Sequence, residues 1–193
     1  MLRTLYDWTL LQSRHRHALW ALAAVAFIES SVFPIPPDVL LIPMVLAARD
    51  RAWRFAAVCT LASVLGGMLG YAIGYMAFEA LGKPLLDFYG YTSKFYEFRD
   101  YYNEWGAWAV FIAGTTPFPY KVITILSGLT GLNLVVFTIA SILARGLRFF
   151  LVAGLLWRFG APIRTFIEKY LNILAVLFVV LLVGGFVLLK YAL

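Results

Sequence analysis

The chain has 193 residues, 63% of them apolar, 17% aromatic and only 13% charged, with a formal net charge of +6. About a quarter of the residues in soluble domains are charged, and a fold of this length has too little interior to hide so much apolar surface. The composition excludes a soluble globular protein and implies an all-α polytopic membrane protein, with residues 1–193 as a single membrane domain.

The basic residues fall in short clusters beside apolar runs, the positive-inside pattern rather than a nucleic-acid surface. One cysteine, Cys59, excludes an internal disulfide or a thiolate zinc cluster and reads as a small buried hydrophobe. Residues 1–17 are polar and aromatic, with room for a short surface helix. Their Arg3, Arg14 and Arg16 lead into too short an apolar stretch for a signal peptide, so the N-terminus reads as retained. His15 and His17, without a third ligand nearby, read as surface residues.

Residues 18–48 carry two charges, Glu29 and Asp38. As one helix this run would reach ~46 Å against a hydrocarbon core of ~30 Å. Pro34, Pro36 and Pro37 break it in the middle, where proline removes donors and disfavours helix. Arg14 and Arg16 precede the run and Arg49, Arg51 and Arg54 follow it; both flanks belong on one side of the membrane. The economical solution is a re-entrant hairpin over 18–48. Residues 55–82 form a transmembrane span with Gly66, Gly67, Gly70 and Gly74, a spacing that permits close helix contact in lipid.

Residues 83–106 are a polar connection of net charge −1, suited to the outer side, with Phe95, Phe98, Tyr102 and Trp105 spaced for a helix lying in the interface. Residues 107–132 repeat the first layout: an apolar arm, a break at Pro117 and Pro119, one ionisable residue (Lys121) and a second arm. This predicts a second re-entrant hairpin entering from the opposite face, and so an inverted repeat of the kind common in secondary transporters. Spans follow at 134–157, with Arg145 and Arg148 inside, and at 170–189, without a charge. The expected fold is therefore two opposed re-entrant helical hairpins plus about three transmembrane helices.

No nucleophile elbow, P-loop, HExxH or dinucleotide turn is present, so no catalytic residue, metal site or cofactor is expected. The chemistry rests on ionisable groups at membrane depth: Glu29, Asp38, Lys121, Arg145 and Arg148. Each costs at least ~2.5–3.5 kcal/mol if placed alone in lipid, and together they would exceed much of a net stability of ~5–15 kcal/mol. They are expected to converge on one polar cavity. Arg145 and Arg148, three apart, share a helix face, and a guanidinium fork suits phosphate or carboxylate. Other readings stay open. Arg148 could snorkel, Glu29 and Asp38 could cap broken helix ends, and the arginines could serve only to neutralise the acids.

Taken in order, Phe27-x-Glu29-Ser30, Pro34-x-Pro36-Pro37-Asp38, the helix Gly66 to Gly74 with Tyr71, and Trp105-Gly106…Pro117-x-Pro119-Tyr120-Lys121…Gly128 resemble the DedA family. This is the bacterial branch of the SNARE-associated Golgi/VTT-domain superfamily, and the Pro-Phe-Pro-Tyr-Lys form is similar to its YqaA branch. The resemblance implies facing re-entrant hairpins, dependence on the proton motive force, and movement of undecaprenyl phosphate or glycerophospholipid between leaflets. By the family pattern Glu29 and Asp38 match essential acids and Lys121 the second of two arginines six apart. The first falls at Thr115, a departure from the pattern.

The favoured function is an inner-membrane lipid flippase or scramblase, multi-pass, with a cytoplasmic N-terminus. Glu29 and Asp38 would couple protons, and Lys121, Arg145 and Arg148, with Thr115, would hold a phosphate headgroup. Its partners would be membrane lipids and not nucleic acid, with a homo-oligomer left open. A proton-coupled carrier of a small solute or ion would show the same features. An intramembrane lipid-phosphate enzyme and a structural membrane protein are two further rivals.

Overall fold

The computed structural model of the chain describes residues 18–31, 36–116, 118–160 and 162. The expected surface helix and the histidines within 1–17, Pro34, Pro117 and the expected span at 170–189 lie outside the described residues. The described residues form helices and short connections.

Helix α1 (Ala18–Ser31) and helix α2 (Asp38–Ala47) are the arms on either side of the first proline break. A short 3-10 turn, Arg49–Arg51, leads into α3 (Ala52–Ala77), which continues through a π-helical turn (Phe78–Gly82) into α4 (Lys83–Tyr89). The π turn lies just before Pro84, whose ring and missing N–H disturb the preceding α-helical ladder. The continuous helix Arg49–Tyr89 has 41 residues. It ends at Gly90, which takes the left-handed φ of 71°. Helix α5 (Thr92–Thr115) then runs to the second proline break, α6 (Tyr120–Leu129) leaves it, and α7 (Leu134–Gly160, 27 residues) completes the described chain.

The boundary expected between a connection at 83–106 and an apolar arm from 107 is not where the chain turns. The turn is at Gly90, because Thr92–Thr115 contains no residue that forces the backbone out of helix, and one helix carries both the charged, aromatic half and the apolar half. Helix α6 ends in a Schellman turn: Leu132 N donates to Ser127 O, Gly131 N donates to Gly128 O, and Gly131 supplies φ of 65°. Asn133 then caps α7, its Oδ1 accepting from Val135 N and Val136 N.

Helix α3 is the axle. Its Gly66, Gly70 and Gly74 stand four apart, so each step turns the stripe by about 40° around the helix. At Gly66 an added Cβ would collide with the Phe27 carbonyl of α1. At Gly70 it would meet Thr124 of α6 and the Ser30 carbonyl of α1, and at Gly74 the Ile125 carbonyl of α6. Gly128 of α6 makes the reciprocal approach to the Tyr71 carbonyl. The stripe thus hands the α3 surface from the first arm to the second, and close approach replaces the absent hydrophobic driving force in lipid.

Two apolar clusters result. One joins Leu22 and Ala26 of α1, Leu41, Met44 and Val45 of α2, Phe55 and Cys59 of α3, and Phe149, Ala153 and Leu156 of α7. The other joins Tyr102 and Val110 of α5, Tyr120 of α6, and Phe137 and Ala140 of α7. Helix α7 belongs to both, and its segment between Ala140 and Phe149 lies where they meet. Outward-facing Trp20, Leu61, Leu65, Met76, Ile112, Val135, Leu143 and Leu151 are exposed, an apolar girdle far beyond what a soluble monomer tolerates.

Candidate functional site

The segment of α7 between the two clusters carries Ser141, Arg145 and Arg148 on its inward face. Four helix ends meet it: the C-terminus of α1, the N-terminus of α2, the C-terminus of α5 and the N-terminus of α6. Pro36 and Pro37 lead into α2, and Pro119 stands at the N-cap of α6 with extended backbone. Helix ends leave backbone groups without intrahelical partners, so the polar residues gather where the helices themselves are polar.

Glu29 and Arg145 pair at 2.8 Å through Oε2 and one terminal guanidinium nitrogen. Arg145 Nε also donates to Ser63 Oγ of α3 at 2.6 Å, and Ser63 Oγ lies 2.6 Å from Ser30 Oγ. Ser30 Oγ donates to Glu29 at 3.1 Å, closing a ring of acid, arginine and two serines. The guanidinium carbon stands 4.8 Å from the centre of the Tyr120 ring and 4.7 Å from that of Phe149, a packing that suits a planar cation. The Arg145 side chain is 3% exposed and that of Glu29 14%.

Arg148 is bonded differently. One terminal nitrogen donates to Asp38 Oδ2 at 2.6 Å and the other to the backbone carbonyl of Thr116 at 2.7 Å. Asp38 follows the first proline break and Thr116 precedes the second, so one side chain ties the two breaks together. Thr116 caps the C-terminus of α5, where a cation meets the negative end of the helix dipole, and Asp38 occupies the first turn of α2, the favourable end for an acid. About a fifth of each side chain remains exposed, 20% for Arg148 and 19% for Asp38.

The structure thus brings Glu29, Asp38, Arg145 and Arg148 together as two crossed pairs. Lys121 lies in the first turn of α6, partly exposed, its carbonyl accepting from Thr124 Oγ1 at 2.9 Å. Thr115, in the last turn of α5, donates its hydroxyl to the carbonyls of Phe111 and Ile112, so it is the next residue's carbonyl that reaches an arginine. The five ionisable groups leave one positive charge in excess. The acids are bonded to arginines from another helix, and Asp38 is not engaged as a cap.

Sequence reasoning passed over Ser63, Thr116, Thr124 and Ser141, and gave Tyr120 only a place in a motif. Tyr120 donates to Ser141 Oγ, and Thr124 Oγ1 donates to the Ser30 carbonyl at 3.1 Å, joining α6 to α1. A polar residue within the α3 apolar run could have flagged Ser63; a backbone carbonyl has no signal in sequence.

An all-helical membrane protein holding crossed arginine–carboxylate pairs where its interrupted helices meet is the class that fold and site define. Residues 18–158 match the VTT domain, and the chain belongs to that family, within the DedA/SNARE-associated superfamily. It is similar to an uncharacterized protein of Haemophilus influenzae, 38% identical over 187 residues that cover 97% of each chain. It is also similar to an uncharacterized protein of Histophilus somni, 38% identical over 169 residues, 86% of this chain and 88% of the other. No solved structure matches it.

Proposed function

We propose that this chain is a bacterial inner-membrane carrier, linked to the proton motive force, that moves a phosphate-headed lipid between leaflets. Undecaprenyl phosphate and glycerophospholipids are the candidate substrates, and the proline motif supports assignment to the YqaA branch. In this reading the protein is not an enzyme, needs no cofactor or metal, and has membrane lipids as its partners. The observation that carries the reading is the pair of arginines shared between two acids at the junction of two proline breaks. Phosphate and carboxylate compete for the same guanidinium donors. Protonation of an acid removes a competing charge and leaves an arginine for the headgroup, with Lys121 and Thr115 at its side. Proton uptake and headgroup binding are then linked through the same hydrogen bonds.

The membrane layout in this reading uses helix length. Helices of 10 residues (α2 and α6) are ~15 Å long, too short to cross a ~30 Å core. Re-entrant hairpins around both breaks, opposed as an inverted repeat, would bring the two breaks to mid-depth. The Arg49–Arg54 flank and the N-terminus would then be cytoplasmic and the α4–α5 turn outside. The experiment is reconstitution of the purified protein into vesicles carrying fluorescent phosphatidylglycerol, with leaflet exchange followed by chemical quenching under an imposed pH gradient. Faster exchange that depends on the gradient is the expected result. Exchange no faster than in protein-free vesicles overturns the reading.

A further inference from the structure

Arg145 and Arg148 share one face of α7, but their surroundings assign them different tasks. Arg145 is fixed on every side: Nε on Ser63, a terminal nitrogen on Glu29, and the cation against the Tyr120 and Phe149 rings, with its side chain 3% exposed. Its partners come from α1, α3, α6 and α7, so removing it from Glu29 would disturb four helices at once.

Arg148 spreads its fork over two separate acceptors, one terminal nitrogen to each, and a fifth of its side chain is open. Asp38 gives it a single oxygen. The other, Oδ1, is buried and has no hydrogen-bond partner among the described residues. Among the described residues Arg148 thus satisfies one oxygen of this carboxylate, and a buried acceptor without a partner carries a penalty. A phosphate offers several anionic oxygens and matches a guanidinium fork in two parallel bonds, which a single-oxygen contact from Asp38 does not.

We propose that Arg148 is the specificity-determining residue for a phosphate group, which takes the place of Asp38 on its fork, while Arg145 stays paired with Glu29 and only positions the helices. The proposal rests on the reading of the protein as a carrier of phosphate-headed lipid and narrows it to one arginine. It also explains why a lysine at 121 can suffice in second place: a point charge adds attraction, and the fork supplies the geometry.

The test is direct binding to the full-length protein in detergent, by calorimetry, with two probes titrated separately: short-chain phosphatidic acid and inorganic phosphate. Wild type is expected to bind phosphatidic acid saturably, and Arg148→Lys to bind it about tenfold or more weakly, the worth of a lost charge-assisted fork. Arg145→Lys is expected to melt earlier but to bind within about threefold of wild type. Asp38→Asn, which removes the competing charge, is expected to bind about threefold or more tightly. This gain keeps the proposal falsifiable even if Arg148→Lys fails to fold, since unchanged affinity in Asp38→Asn overturns it. Binding of both probes, each lost in Arg148→Lys, supports the proposal with the phosphate group itself as the ligand. Binding of phosphatidic acid alone, lost in the same variant, supports it with a lipid as the source. If wild type binds neither probe, the inference and the lipid-phosphate reading fall together. If wild type binds and Arg148→Lys binds as tightly, or folded Arg145→Lys loses binding, the inference alone falls.

Discussion

Removing the charge of Glu29 is the sharpest probe of how the core is held. Its partner Arg145 is 3% exposed, so the Glu29→Gln variant leaves a guanidinium inside the protein with Ser63 and two aromatic rings but no counter-ion. Breaking a buried pair from one side costs about 3–5 kcal/mol, because the remaining charge can neither return to water nor find a partner. At about 2–4 °C per kcal/mol for a chain of this size, the melting temperature should fall by roughly 6–20 °C. Asp38→Asn should cost less, about 1–2 kcal/mol, since both members of its pair are a fifth exposed and Arg148 keeps the Thr116 carbonyl. Thermal unfolding in detergent, followed by tryptophan fluorescence, measures both. Replacing both deep partners, Glu29→Leu with Arg145→Met, should recover most of the loss, giving a coupling of about 2 kcal/mol or more in the double-variant cycle. Equal losses in the two single variants, or strict additivity in the cycle, would refute the assignment of Glu29–Arg145 as the deep structural pair.

Gly66→Ala and Gly74→Ala should each lower stability by about 1–3 kcal/mol, because the new Cβ meets a backbone carbonyl that cannot step aside. Gly146→Ala, whose nearest neighbour is a Thr60 methyl at 3.8 Å, should be neutral or gain up to about 1 kcal/mol in the same melts. In a Cys59→Ala background, a cysteine at Arg51 should react with an impermeant reagent only from the cytoplasmic side and one at Lys94 only from outside; reactivity at 51 from outside would end the re-entrant layout. Thr115→Arg should restore part of the transport lost in Arg148→Lys, measured in the vesicle assay, because position 115 adjoins the Thr116 carbonyl that Arg148 already reaches. No gain over Arg148→Lys alone would show that this end of α5 does not face the headgroup.

Sequence alone determined that the chain lives in lipid, that prolines interrupt two apolar runs, and that the rare charges at membrane depth must find one another. Those conclusions follow from composition, from the backbone chemistry of proline and from the cost of an unpaired charge in hydrocarbon, all of which are local or additive. The glycine spacing from Gly66 to Gly74 was equally legible, since a period near that of the helix is a property of the string. Pairing was not. Glu29 and Arg145 are 116 residues apart, and Asp38 and Arg148 are 110 apart, so nothing short of the helix packing could choose these partners over the reverse. Nor could sequence divide the labour between two arginines on one face. One is enclosed because the α3 glycine stripe draws α1 and α6 close enough to surround it. The other, joined to Asp38 and to the Thr116 carbonyl, stays partly open, and only the tertiary structure decides which is which.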